Sequence, residues 1–109
     1  MDVEIFEKNA QTPVKIFYAV EGCMVSPSFG HIFSGGYAAG YYGYKWAEVL
    51  DADAFAAFKE EGIFNPEPAA RFKKMLQSGG TVDPSELYRS FRGKDATVDA
   101  LLKRDGIKK

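Results

Sequence analysis

Capping residues, prolines and glycines divide the second half of the chain into short segments. Asn65 and Asp83 each stand directly before a proline. This order is typical of a helix start, because the first side chain caps the free N–H groups and proline fits the first turn. Gly79 and Gly93 follow these two starts at helical length and favour helix ends. The pattern predicts helices as the basic element of the fold.

Apolar residues recur at helical spacing from about Ala38 to Glu61, which predicts one long helix ended by Gly62. Its buried face is expected to comprise Tyr42, Trp46, Val49, Leu50, Ala54, Ala57 and Phe58, and its wet face Asp51, Asp53, Lys59 and Glu60. The shorter helices that follow are expected to bury Phe72, Met75 and Leu76, then Leu87, Tyr88 and Phe91, and finally Val98, Leu101 and Leu102, with Thr97 as the last cap.

The first 28 residues carry weaker signals. Residues 2–9 predict a short helix, and the apolar, β-branched residues 14–20 predict a strand or a buried extended run before a loop marked by Pro27 and Gly30. We expect one domain over residues 1–109, made of an N-terminal segment (1–28), a glycine- and tyrosine-rich loop (29–45) and a helical tail (46–109). The fold class expected is all-α and compact, with one long helix and several short ones.

Composition excludes several function classes. Fourteen basic and fifteen acidic residues give a net charge of −1, which argues against nucleic-acid binding. The longest uncharged stretch, residues 22–44, contains six glycines and does not predict a membrane span. One cysteine and one histidine argue against a zinc site complete within the chain. The first residues do not resemble a secretory leader, so a cytoplasmic location is expected.

The segment from His31 to Tyr44 is the most informative part of the sequence. Gly35 and Gly36 allow a sharp bend, and tyrosines recur at three- and four-residue spacing. Tyrosine hydroxyls at such a position can donate to a peptide carbonyl or a developing oxyanion. A plainer interpretation remains open, in which the aromatic side chains are core, the histidine is packed and the glycines mark turns.

Residues 31–55, His-Ile-Phe-Ser-Gly-Gly-Tyr-Ala-Ala-Gly-Tyr-Tyr-Gly-Tyr-Lys-Trp-Ala-Glu-Val-Leu-Asp-Ala-Asp-Ala-Phe, resemble the C-terminal part of the M3 family of zinc metallopeptidases. The resemblance continues in Lys-Glu-Glu-Gly-Ile-Phe-Asn (59–65), in Gly79-Gly80 with Asp83-Pro84, in Phe-Arg-Gly-Lys-Asp (91–95) and in Asp-Ala-Leu-Leu (99–102). It covers residues 29–107 strongly and the first twenty-odd residues loosely. Within the family, the tail looks most like the oligopeptidase A and peptidyl-dipeptidase branch.

The resemblance implies a helical zinc enzyme that cuts short peptides in a deep channel beneath a flexible loop. It implies catalytic contacts, to the substrate and the transition state, from His31 and Tyr44. It implies substrate binding by Tyr37, Tyr41, Gly35 and Gly36. The family's His-Glu-x-x-His motif and its downstream glutamate are missing, so no metal ligand is assigned to any residue here. The zinc cofactor is expected only in the complete enzyme.

Two functions follow as alternatives. The first is a C-terminal fragment of an M3-like peptidase that contributes the substrate loop and is inactive alone. Its expected partners are an oligopeptide, the missing catalytic portion or a second copy of itself, with no nucleic acid and no membrane. The second is a non-catalytic helical module that binds a peptide or a partner protein. A His-Glu-x-x-His motif encoded just upstream would distinguish them, and a helical remnant with no present role is a third possibility.

Overall fold

The computed structural model describes residues 1–18 and 20–109. Over these residues the chain forms six α-helices and one short 3-10 helix, with no β-strand. The helices are α1 (Val3–Gln11), α2 (Gly30–Phe33), α3 (Gly43–Glu61), α4 (Pro66–Ser78), α5 (Pro84–Arg92) and α6 (Asp99–Arg104), and the 3-10 helix is Ser26–Ser28. The predicted all-α class is confirmed.

The chain divides into two units, residues 1–42 and residues 43–109. The first unit holds α1, the 3-10 helix and α2, and the second holds α3 to α6. The expectation of one domain with segments 1–28, 29–45 and 46–109 stays a prediction.

Local capping explains where the helices of the second unit begin and end. The Asn65 side chain accepts a hydrogen bond from the Glu67 N–H, and Asp83 accepts from the N–H groups of Ser85 and Glu86. Gly93 ends α5 in the left-handed region at φ 76°, where a residue without Cβ is favoured. Both predicted helix starts and this predicted stop are confirmed.

The core of the second unit lies where α3 meets α4, α5 and α6. One cluster buries Ala54 and Ala57 of α3 against Tyr88 and Phe91 of α5, with Phe58, Phe72 and Met75 packed around them. A second cluster buries Val49 and Ala52 against Leu101. Alanine on the buried side of α3 lets the neighbouring helices approach its backbone, so the aromatic side chains of α4 and α5 pack there beside Phe58 of α3.

Several predicted faces are wrong in detail. Tyr42, Trp46, Leu76 and Val98 were expected to be buried, but all four side chains are exposed. Asp53 was expected on the wet face, yet it is 3% exposed and belongs to the core side of α3. The last helix begins after Val98 without a side-chain cap, so Thr97 is not its N-cap. The long helix begins at Gly43 and not at Ala38, because turns occupy the glycine-rich residues before it.

The first unit also corrects the expectation for residues 14–20. The described residues of this run form no strand, and the side chains of Val14, Ile16, Phe17, Tyr18 and Val20 are exposed, Ile16 at 89%. Ala19 lies outside the described residues. A single strand needs a neighbour for its backbone hydrogen bonds, and the described residues provide none. The short predicted helix is confirmed as α1, which Asp2 caps by accepting from the Ile5 N–H.

Candidate functional site

An aromatic cluster surrounds the single histidine in the first unit. The His31 ring centroid lies 5.8 Å from that of Tyr37 and 5.8 Å from that of Tyr41. Phe29 meets Tyr41 edge to face at 4.6 Å, the geometry that aromatic quadrupoles favour. We call Phe29, His31, Tyr37 and Tyr41 the ring cluster. It brings together three of the six residues to which the family resemblance gave roles.

A single turn of backbone joins the two tyrosines of the ring cluster. The N–H groups of Gly40 and Tyr41 both donate to the Tyr37 carbonyl at 3.1 Å. This turn places Tyr37 and Tyr41 four residues apart on one side, so both rings reach His31. The four-residue spacing of Tyr37 and Tyr41 thus brings their rings together at His31, and the turn is not part of α3.

Gly35 lies close to the backbone of the ring cluster. A Cβ added at Gly35 would lie 3.1 Å from the His31 carbonyl oxygen and 3.6 Å from that of Gly30. Gly36 has no described atom within 4 Å of such a Cβ. Neither glycine has a positive φ, so the bend here does not use the conformations that only glycine reaches easily. A side chain at Gly35 would make a tight contact with the His31 carbonyl, which a shift of a few tenths of an ångström would relieve.

Tyr44 belongs to the second unit, in the first turn of α3. Its side chain is 48% exposed. Tyr44 and the ring cluster thus belong to different units. The catalytic contact that the resemblance implies for Tyr44 stays a prediction. A half-exposed phenol at a helix start is able to donate to an external carbonyl oxygen.

Glu7 is a functional candidate that the sequence did not reveal. Its Oε1 accepts from the Gln11 amide at 2.9 Å and from the Val25 N–H at 2.8 Å. Its Oε2 accepts from the Ser26 N–H at 2.8 Å and from the Ser26 hydroxyl. No pattern pointed to the contact with Val25 and Ser26, because these partners lie 18 and 19 residues away and two of the three donors are backbone groups.

The hydrogen bond from the Ser26 hydroxyl, with those from the Val25 and Ser26 N–H groups, lowers the pKa of Glu7 to about 2. Since this value lies below the ordinary 4.5, the contact contributes stability that is fully present above about pH 4.5. That contribution is lost as the pH falls through about 2. The Glu7 carboxylate therefore remains an acceptor for all four donors near neutral pH.

A second set of polar contacts lies inside the second unit and joins α3 to α5. Tyr88 donates to Asp53 Oδ2 at 2.7 Å, and Arg92 Nε donates to the same oxygen at 3.2 Å. Arg92 also forms a bidentate salt bridge with Glu60, with N–O distances of 2.9 and 3.0 Å. Burial and the Asp53 carboxylate raise the pKa of Tyr88, so it stays a neutral donor. A sequence signal existed, because Asp53 lies three residues after Leu50 and four before Ala57 in the buried stripe.

The described residues do not fit a metal centre. Over residues 1–18 and 20–109, no three side chains of His, Cys, Asp or Glu gather closely enough to hold a metal ion. None of the helices described has the length and apolar character needed to cross a membrane. The described residues thus form an α-helical segment in which the one histidine ring lies among tyrosine rings.

Comparison with known proteins places this segment. The family model for peptidase family M3 matches residues 3–107, so the chain belongs to that family. It is 48% identical over 101 residues to oligopeptidase A of Haemophilus influenzae, covering 92% of this chain and 15% of that protein. It is 54% identical over 82 residues to oligopeptidase A of Escherichia coli, covering 74% of this chain and 12% of that protein.

A third relative covers almost the whole chain. Dipeptidyl carboxypeptidase of Escherichia coli is 41% identical over 108 residues, which is 97% of this chain and 16% of that protein. The chain thus spans between 12% and 16% of the length of these three relatives. The predicted resemblance to the M3 family is confirmed.

Proposed function

We propose that the chain is the C-terminal part of an M3 zinc peptidase and supplies the substrate-contacting half of its active site. His31, Tyr37 and Tyr41, supported by Gly35 and Gly36, would bind an oligopeptide. Tyr44 would donate its hydroxyl to the carbonyl oxygen of the bond to be cut. The observation that carries this proposal is that the ring cluster and Tyr44 both lie inside the stretch matched by the family.

The chemistry assigned to these residues is electrophilic assistance. A phenol donates a hydrogen bond without changing its charge, and that bond strengthens as the carbonyl oxygen becomes an oxyanion. In this proposal the zinc ion, its ligands and the general base belong to the rest of the peptidase, since the described residues do not fit a metal site. The chain alone is therefore expected to be inactive.

The partners proposed are an oligopeptide substrate and the remaining part of the peptidase. The apolar side chains of Val14, Ile16, Phe17 and Tyr18 are exposed. Because exposed apolar patches drive association, we expect a partner to cover this surface. Self-association is the competing expectation, and sedimentation of the chain alone distinguishes the two. We also propose a cytoplasmic location, which agrees with one free, exposed cysteine, Cys23.

The proposal is tested with a graft enzyme, in which this chain replaces the matching segment of Escherichia coli dipeptidyl carboxypeptidase. We expect the zinc-loaded graft enzyme to hydrolyse a reporter peptide that the parent cleaves, and the 109-residue chain alone to release no product. The assay is product release followed by chromatography. A folded, zinc-loaded graft without activity, or hydrolysis by the chain alone, would contradict the proposal.

A further inference from the structure

We propose that Glu7 is a positioning residue for the ring cluster, which it holds in place through the backbone of Val25 and Ser26. This inference rests on the proposed function for its effect on catalysis, but its structural part stands on the contacts alone. Glu7 does not touch His31 or the tyrosines in any of its described hydrogen bonds. Glu7 instead holds the backbone at Val25 and Ser26, which lie just before the ring cluster in the sequence.

Two sets of hydrogen bonds, joined by the peptide bond between Ser28 and Phe29, lead from Glu7 to the ring cluster. Glu7 accepts from the N–H groups of Val25 and Ser26, and the Val25 carbonyl accepts from the Ser28 N–H at 3.0 Å. Phe29 follows directly, and its carbonyl accepts from the N–H groups of Ile32 and Phe33 at 3.2 Å. The 3-10 helix Ser26–Ser28 and α2 (Gly30–Phe33) are thus consecutive elements joined at Phe29, and the second of them carries His31.

Only a carboxylate satisfies the donors that face Glu7. Four donors converge on its two oxygens: the Gln11 amide, the Val25 N–H, the Ser26 N–H and the Ser26 hydroxyl. Glutamine at this position would offer one acceptor oxygen and turn an NH₂ group toward the remaining donors. Aspartate would be one methylene too short to span the same distance from α1. The lowered pKa of Glu7 agrees with an acceptor that stays ionised at neutral pH.

The first test uses the 109-residue chain itself and does not depend on catalysis. Ring-proton Overhauser effects between Phe29 and Tyr41, whose centroids lie 4.6 Å apart, report the ring cluster. We expect Glu7→Gln to weaken these effects while the helical circular dichroism stays the same. The matched control is Glu4→Gln, which removes the same charge from an exposed position on α1. Unchanged ring contacts in Glu7→Gln would overturn the inference.

The second test separates positioning from general support of the fold. In the graft enzyme, Glu7→Gln is expected to lower kcat/KM about 10- to 100-fold, since small displacements of substrate contacts have effects of that order. Ser26→Ala, which removes one donor and leaves the backbone contacts, should lower it less and in the same direction. In a His31→Ala background the effect of Glu7→Gln should largely disappear, because the two residues act on the same contact.

The outcomes distinguish this inference from the proposed function. If His31→Ala lowers kcat/KM and Glu7→Gln has the same full effect in both backgrounds, Glu7 only supports the fold and the inference is wrong. If His31→Ala leaves kcat/KM unchanged, the proposed role of His31 fails, and the Overhauser measurement alone decides whether Glu7 positions the rings. Loss of the Glu7→Gln effect in the His31→Ala background supports both.

Discussion

Replacing Tyr44 with Phe in the graft enzyme is expected to lower kcat about 100- to 1000-fold while KM changes little. The reason is that the hydroxyl is proposed to meet the oxyanion, which exists only in the transition state. Removing one oxygen keeps the aromatic ring and its packing in the first turn of α3. Steady-state kinetics on the reporter peptide give both constants.

Tyr42→Phe is the control for this substitution. It removes the same hydroxyl two residues earlier, from a side chain that is largely exposed. We expect its kcat to match that of the unmodified graft enzyme. An unchanged kcat in Tyr44→Phe would remove Tyr44 from the chemistry and leave it a packing role.

Replacing Asp53 with Ala is expected to lower the free energy of unfolding of the chain by about 3 kcal/mol. Arg92 is only 7% exposed at its side chain, and the substitution leaves its guanidinium and the Tyr88 hydroxyl without their shared acceptor. This value is at the low end of the loss in free energy of unfolding expected when a buried ion pair is broken, because Arg92 still pairs with Glu60. Urea unfolding gives the value from the midpoint, provided the slope is unchanged.

Asp51→Ala supplies the comparison on the same helix. Asp51 faces solvent and pairs with Arg104 at 3.2 Å, so its loss should change the free energy of unfolding by less than about 1 kcal/mol. Equal effects of the two substitutions would mean that the Asp53 network contributes no more than a surface pair. A larger effect of Asp53→Ala supports a buried polar link between α3 and α5.

Local features of the fold were predictable from the sequence because their causes are local. Asn65, Asp83 and Gly93 act within three residues of the helix ends that they define, and all three were identified correctly. A charged side chain usually indicates the wet face of a helix, and for Asp53 this prediction is wrong. Its position between Leu50 and Ala57 already put it on the buried side, where Tyr88 and Arg92 satisfy it.

The candidate site was predictable only in part. The family resemblance identified His31, Tyr37 and Tyr41, and their clustering follows from one short turn of backbone. Glu7 could not be found in this way, because the contact joins a side chain to backbone N–H groups that any residue carries. The apolar pattern of residues 14–18 also failed to predict their conformation. An isolated strand is not stable without a neighbouring strand, and the pattern does not show whether one is present.

The measurement that tests the central claim most directly is the affinity of the graft enzyme for a peptide analogue with a tetrahedral, anionic group at the bond to be cut. Such a group imitates the transition state that the tyrosine hydroxyl is proposed to stabilise. Across the unmodified graft enzyme, Tyr44→Phe and His31→Ala, we predict that log Ki for the analogue rises in step with the fall in log kcat/KM. An analogue affinity that stays constant while kcat/KM falls would contradict the claim that this segment contacts the transition state.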